Sequence, residues 1–496
     1  MSISHGPVAA RRTWLTGLLW AQLAITHPAH AASATLLEPG NDEFRQDLQW
    51  LIDRGIIDFS TSTWPISLDA ISFAISKKSK KRLSNADRAA LWSVRRTLRM
   101  ERAHFGVELG GSTDAHPVLQ GGMDGRSRAR SSLRAGGDWR NLSGRLQLNG
   151  LHRSLGGQDG ARTEFNLDGS YVSAALQGQV LYAGQLARWW GPGQQQSLIW
   201  SDAARAIPTL GVRRGRESAP RWPWLSWVGP WGYDLSVGQL QHYRSNPGTR
   251  ILAMRLHARP MRGLEIGASR FIQWGGDGAG LAGLGDALIG RANSPDRAPN
   301  NELAGFDLRY SLPLRGGALA FYGQAMGEDE AGAWPAKYLA LLGTEYRHVW
   351  RSARMHWWLE AADTKADRVF GAGRRGLANV AYAHSYYRDG LRHEGVPIGA
   401  WTGGDARMYS LGLNIAPDPR RTRLRYSLAL FHVAIDAVPG RPPDRARPVG
   451  TYWGTRLGIT WRLNRTTDMK FAMAALGGGA DRPFDLGAGL FMKTSF

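Results

Sequence analysis

A chain of 496 residues with 62 glycines and 21 tryptophans but no cysteine exceeds one ordinary globular core and points to several domains or one large barrel. The lack of cysteine excludes a disulfide framework, thiolate zinc sites and a thiol nucleophile. A formal charge of +21 calls for polyanionic surroundings.

The N-terminus decides which polyanions are in reach. Arg11 and Arg12 form a positive head, Trp14 to Ile25 is an apolar stretch of signal-peptide length, and Ala29-His30-Ala31 offers a small-x-small cleavage site. Residues 1–31 are therefore expected to be a signal peptide, with a mature chain starting near Ala32. Export removes nucleic acid from consideration and leaves lipopolysaccharide, phospholipid and acidic polysaccharide. No later segment approaches the roughly 18 consecutive apolar residues of a membrane-spanning helix. A membrane β-barrel stays open, because its strands alternate apolar and polar residues and look mild by hydropathy.

Residues 32–104 read as a small helical bundle on the periplasmic side. Phe44, Leu48, Leu51 and Ile52 fall at helical spacing, and Gly55 fits a stop. A second helix is expected over Ser67 to Ser76. A third is capped by Ser84 or Asn85, with Ala89, Leu91, Trp92, Val94 and Leu98 on its inner side. The KKSKKR run from Lys77 to Arg82 reads as a solvated helix end.

From residue 105 to 496 the period becomes two. Trp453, Thr455, Leu457, Ile459, Trp461 and Leu463 share one face, with Arg456 and Arg462 on the other. The same alternation sets Leu252, Met254, Leu256 and Ala258 against Arg255, His257 and Arg259. It recurs over Leu142 to Asn149 and Ala304 to Leu312. Eighteen such segments predict a mainly β fold: an antiparallel outer-membrane β-barrel of about 18 strands behind the helical bundle. The final strand, Leu486 to Phe496, ends in an aromatic residue resembling the signal read by the bacterial barrel-assembly machinery. Stretches 274–302 and 364–404 are expected to be extracellular loops.

Enzymatic chemistry finds little footing. Gly278 to Gly283 matches a dinucleotide fingerprint without its βαβ setting and reads as a glycine-rich loop. Glu328-Asp329-Glu330 lacks a calcium spacing and reads as a hairpin loop. Ser385 beside His384 is adjacency, with no nucleophile elbow or HExxH pair. No enzyme, cofactor or metal is expected.

Two clusters suit carbohydrate. Arg188, Trp189 and Trp190 precede a Gly-Pro-Gly turn, and Arg205 follows. Indole faces stack on sugar rings and guanidinium binds hydroxyls or carboxylates, although paired tryptophans also fit an aromatic girdle or plain packing. The second cluster holds Tyr386, Tyr387, Arg388, Asp389 and Arg392, and fits a structured loop as well as a sugar site.

These segments carry a family resemblance. Thr63-Trp-Pro-Ile66, Arg188 to Pro208, Gln273-Trp-Gly-Gly276 with Asn301 to Tyr310, and Tyr387 to Gly399 resemble, in order, the capsule-assembly Wzi family. Ala203-Ala-Arg-Ala206 departs from that family's Asn-Ala-Arg-Pro, so the local loop geometry need not match. The resemblance implies an 18-stranded outer-membrane barrel with a periplasmic helical bundle and a lectin-like role in anchoring capsular polysaccharide or exopolysaccharide. The expected partners are thus an acidic polysaccharide, outer-membrane lipid and the barrel-assembly machinery, with no nucleic acid, around a monomeric barrel. The competing reading is a porin whose arginine-lined lumen passes anionic sugars; an open lumen would favour it.

Overall fold

The computed structural model describes residues 34–79, 82–113, 129–154, 161–242, 244–276, 300–331, 334–371, 375–437, 449–478 and 484–496. The expected signal peptide, Lys80, Lys81 and the Gly278 to Gly283 stretch lie outside them.

Three helices come first. In α1 (Asp42–Asp53), Asn41 caps the N-terminus by accepting the Phe44 N–H at 2.9 Å, and Asp42 and Glu43 sit at the positive end of the helix dipole. The helix ends where Gly55 takes φ +62°, so that Gly55 and Ile56 donate back to the Ile52 and Leu51 carbonyls, a Schellman arrangement that a side chain would strain. In α2 (Leu68–Ser76) Ser67 is the cap. In α3 (Asn85–Glu101) Ser84 and Asp87 cap each other reciprocally, and the Trp50 indole donates to Asp87 at 2.9 Å, tying α1 to α3. The inner face of α3 departs from expectation at two residues. Trp92 is 43% exposed under the Arg462 guanidinium and Ala89 is half-buried, while Ala86 and Ala90 pack inward.

Eighteen strands follow: β1 (Phe105–Ser112), β2 (Ala129–Trp139), β3 (Leu142–Ser154), β4 (Ala161–Asn166 resuming at Tyr171–Leu176), β5 (Gln179–Gln185), β6 (Pro208–Arg214), β7 (Trp231–Gln239), β8 (Thr249–Met261), β9 (Leu264–Gly275), β10 (Asn301–Leu314), β11 (Gly317–Ala331), β12 (Trp334–Trp350), β13 (Ala353–Asp363), β14 (Ala406–Ala416), β15 (Leu424–Ile435), β16 (Gly450–Arg462), β17 (Thr467–Gly477) and β18 (Phe484–Ser495). Each pairs antiparallel with its neighbours, and β18 pairs with β1 to close the barrel. Both halves of β4 lie along β3 and so count as one interrupted strand. Glu328, Asp329 and Glu330, expected in a hairpin loop, lie within β11. Glu328 is buried and accepts the Tyr382 N–H.

The alternating faces divide as the sequence suggested. Leu146, Leu148, Leu256, Phe306, Leu457, Trp461 and Leu490 point outward and are exposed, the lipid-facing band of a membrane barrel. Their neighbours Gln147, Asn149, Arg255, His257, Asp307, Arg309 and Arg462 point inward and are buried. One end of the barrel carries mostly two-residue turns and the other the long loops. The helices sit at the short-turn end, the end that bacterial outer-membrane barrels keep in the periplasm.

Charge pairing seats the helices there. Arg309 on β10 grips both Asp53 oxygens at 2.7 and 2.9 Å and reaches Glu345 at 2.8 Å; Arg347 on β12 joins Asp53 at 3.2 Å and also pairs with Glu345. Asp47 takes Arg354 at 2.5 Å and Arg425 at 2.6 Å. At the end of α3, Glu101 meets Arg134 at 2.7 Å and Lys493 at 2.9 Å, while Arg96 forks onto Asp468 at 2.8 and 2.9 Å. The inward arginines are thus met by carboxylates, many of them from the helices, rather than facing an open lumen.

Removing one member of such a set leaves buried charge unpaired, at a cost of about 3–5 kcal/mol. Asp53→Asn should therefore loosen the helical domain, read as faster proteolysis between α1 and α3, while the barrel keeps its heat-dependent gel mobility.

Acid should do the same. Burial pushes the Asp47 carboxyl up, but Arg425 and Arg354 outweigh it and hold the group below its ordinary value of 3.8. A carboxyl depressed by folding stabilises the fold fully above its unfolded value and loses that contribution as pH falls through the folded one. Protease resistance of the helices should hold from about pH 8 to about pH 5 and fall below about pH 4.

Candidate functional site

The loop joining β5 to β6 turns inward rather than out. Its Trp189-Trp190 pair forms a two-residue ladder with Thr63-Trp64, where residues 60–64 climb up from the helices. Gly191 sits at φ +127°, donates to the Ser62 carbonyl at 2.8 Å, and has Gln324 where a Cβ would fall. The Gln324 amide clamps the loop on both sides, donating to the Trp190 carbonyl at 3.1 Å and accepting the Leu198 N–H at 2.8 Å. Past the Gly-Pro-Gly turn, the N–H groups of Gln194, Gln195 and Gln196 converge on Glu360 at 2.6, 3.1 and 3.3 Å, and the Tyr322 hydroxyl donates to the same carboxylate at 2.9 Å.

This geometry fixes the role of the first cluster. Arg188 is fully buried; it donates to Asp234 at 3.1 Å, to the Tyr182 hydroxyl at 2.9 Å and to Thr209 at 3.0 Å, and stacks on Trp200. Trp190 is also fully buried, edge-on to Trp200 with ring centroids 5.1 Å apart. Trp189 packs into the helical core beneath Arg45. Neither indole belongs to the lipid-facing girdle, and neither offers a free face to a sugar.

Arg205 lies higher, toward the loop end of the barrel. Asp168 accepts from it at 2.9 and 3.1 Å, Glu164 at 2.5 Å and Glu394 at 2.9 and 3.0 Å. One cation therefore fastens the β5–β6 loop to the break in β4 and to the long loop before β14. Burial alone would lower its pKa, but Asp168 and the two glutamates raise it.

The second cluster sits in that long loop, residues 364–405, which also folds over the lumen. Tyr382 and Tyr387 are fully buried. The Tyr387 hydroxyl donates to the Gly275 carbonyl at 3.0 Å, and Ser201 N–H donates to the Ile398 carbonyl at 2.8 Å. Arg392 is buried and donates to the Gly395 carbonyl at 3.3 Å. Tyr386 and Arg388 are exposed on the outer face, and Asp389 next to Arg388 is half-buried. Asp389 accepts from Ser245 N–H at 2.7 Å and Ser245 Oγ at 2.5 Å. Burial pushes its carboxyl up, yet those two bonds and Arg244 hold it below the usual range.

The structure thus separates the nine candidate residues. Tyr386, Arg388 and Asp389 share an outer surface; Arg188, Trp189, Trp190, Tyr387 and Arg392 are scaffold beneath it; Arg205 is a clasp. Sequence reasoning missed the partners Arg244, Ser245, Asn246 and Gln241 in the β7–β8 loop. Asn246 donates to the Tyr386 carbonyl at 3.2 Å and Gln241 contacts His393 at 3.0 Å. Single polar residues in a short loop carry no spacing signal. Among the described residues no grouping of His, Cys, Asp and Glu could hold a metal ion.

The sequence model of the family described as capsule assembly protein Wzi matches residues 100–428. The chain belongs to the Wzi family. An uncharacterised 55.8 kDa protein from the cps region of Klebsiella pneumoniae is 37% identical over 347 residues, which is 68% of this chain and 67% of that one. The solved structure of Escherichia coli Wzi, described as an outer-membrane protein involved in group 1 capsule assembly and a carbohydrate-binding β-barrel, aligns with a TM-score of 0.82 at 30% identity. The alignment covers 93% of this chain and 99% of that one. Like its family, this chain is an outer-membrane barrel.

The burial pattern gives contrasting expectations. Trp190→Ala opens a cavity in the luminal core and should cost about 3–5 kcal/mol, read as a lower temperature for loss of the folded gel band. Tyr386→Ala, on the surface, should move that temperature little, within roughly 0.5 kcal/mol.

Proposed function

We propose that this protein holds capsular polysaccharide or a related exopolysaccharide at the cell surface, binding it on the outer loop face as a lectin-like barrel. The observation that carries the reading is the Wzi fold across nearly the whole chain, joined to a lumen crossed by its own loops. Helices α1–α3 fill the periplasmic mouth, and the β5–β6 and β13–β14 loops form a continuous apolar core above them. A pathway for anionic sugars would need luminal arginines free to attract them, and those described above are engaged with carboxylates. The porin reading loses its main support.

The polymer contacts are assigned to Tyr386, Arg388 and Asp389. Tyr386 offers an amphipathic ring for stacking. The Arg388 fork suits hydroxyls or a uronate carboxylate, and Asp389, aligned by Ser245, suits hydroxyl donors. Arg205 and Arg392 shape the loops that present them. The role is binding without catalysis, by a single barrel.

Deleting the gene should leave polymer synthesis intact and move polymer from the cell-bound fraction to the medium. Unchanged partitioning would overturn the anchoring role. A folded Tyr386→Ala/Arg388→Gln double variant should reproduce part of that shift, whereas wild-type retention would place the contacts elsewhere on the outer face. Loss of solute uptake with surface polymer untouched would restore the porin reading.

A further inference from the structure

The periplasmic rim carries a chemistry that polysaccharide anchoring does not use. Seven of the eight connections at that end contain an arginine; only the β4–β5 turn lacks one. Two carboxylates accompany them, and both are taken: Glu217 by His257 and Arg259, Asp418 by Arg420. Arg140, Arg262, Arg315, Arg351, Arg421 and Arg465 are all exposed.

Aromatic residues lie directly beside this ring. Trp139 and Trp350 end their strands at 65% and 56% exposure, each covered by the guanidinium of the next residue, Arg140 at 5.2 Å and Arg351 at 5.0 Å. The β6–β7 connection is the exception in length. It forms a foot around a 3-10 turn (Pro223–Val228) against the end of β8, with Trp222 and Trp224 stacked at 5.6 Å and Trp227 exposed. At the β14–β15 connection, Arg420, Arg421, Arg423 and Trp461 line a cleft of about 550 Å³.

Tryptophan prefers the boundary between hydrocarbon and headgroup, and arginine forks onto phosphate oxygens. A ring of arginine just outside a ring of tryptophan therefore matches a layer of phosphodiesters above acyl chains. We infer that the periplasmic rim is a binding collar for anionic glycerophospholipids of the inner leaflet, with the cleft at the β14–β15 connection as its best-formed headgroup site. Lipopolysaccharide also carries phosphate, but it occupies the opposite leaflet and cannot reach this rim in the membrane.

The test uses the full-length protein, stripped of lipid in mild detergent and offered equimolar phosphatidylethanolamine, phosphatidylglycerol and cardiolipin, with retained lipid read by native mass spectrometry. Wild type should prefer the anionic lipids, and the preference should fall as salt is raised. Arg351→Gln/Arg421→Gln should reduce it by roughly fivefold per arginine, about 25-fold together. Arg375→Gln/Arg407→Gln, the same loss of two charges at the outer end of the barrel, should leave it unchanged. Equal retention of zwitterionic and anionic lipid by wild type would overturn the proposal. So would equal losses from the two variants, which would mark net charge rather than a site. Competition by lipopolysaccharide for the Arg351- and Arg421-dependent binding would overturn the assignment to inner-leaflet lipid. The salt titration on wild type keeps the question open to refutation if the double variant fails to fold.

Discussion

A guanidinium taken out of water costs several kcal/mol unless a carboxylate meets it with good geometry, and this barrel turns such groups inward on strand after strand. The helical domain supplies much of the answer. Asp47 and Asp53 each meet two basic groups of the wall and Glu101 three, and Arg255 finds Asp307 on its own sheet with Thr63 and Ser62 from the segment between α1 and α2. The number of arginines is consequently misleading about partners. Many of them are paired with carboxylates inside, and part of the net excess lies exposed at the short-turn end of the barrel, away from the outer loops.

The same constraint explains why the lumen is filled. An arginine-lined wall around water would be soluble but would leave the inward loops without anchors. With the helices in place, residues 60–64 become a ledge on which Trp189 and Trp190 can lie, and Gln324 and Glu360 can then hold the rest of the loop by its backbone. The stretches that carried the family resemblance meet here: Thr63-Trp64 against Trp189-Trp190, Gln273 against Asn301, and Tyr387 against Gly275. In this chain they form internal scaffold, so the resemblance they carry speaks for the frame and says little about the outer loop surface.

The wall was readable because strand alternation is a local property. Trp453 to Leu463 and Leu142 to Asn149 sort into exposed and buried residues from period alone, and the helix starts at Asn41, Ser67 and Ser84 follow from capping chemistry. Trp92 misled because helical spacing marks a stripe without marking its edge, and Arg462 covers that indole from another element. The candidate site was less legible for a related reason. Alternation reports that a face points inward but not what fills the space it faces. Arginine beside paired tryptophans looks the same whether a sugar or the protein's own Asp234 and Trp200 will occupy it. Glu328 likewise looked like loop because its partner, the Tyr382 N–H, is 54 residues away in the chain.

Only residues 102–104 separate α3 from β1, and β1 is also the strand on which β18 closes. The helical domain is therefore tethered at the seam. It leaves the ribosome before any strand, carrying carboxylates whose basic partners are scattered from β2 to β18, so its charges must stay hydrated until the sheet gathers around it. The β5–β6 loop lies across the lumen above them, so the short-turn mouth is the side from which they seat. A three-residue link at the closing strand keeps them at that mouth, which makes the plug and the seam of the wall neighbours in the chain as well as in space.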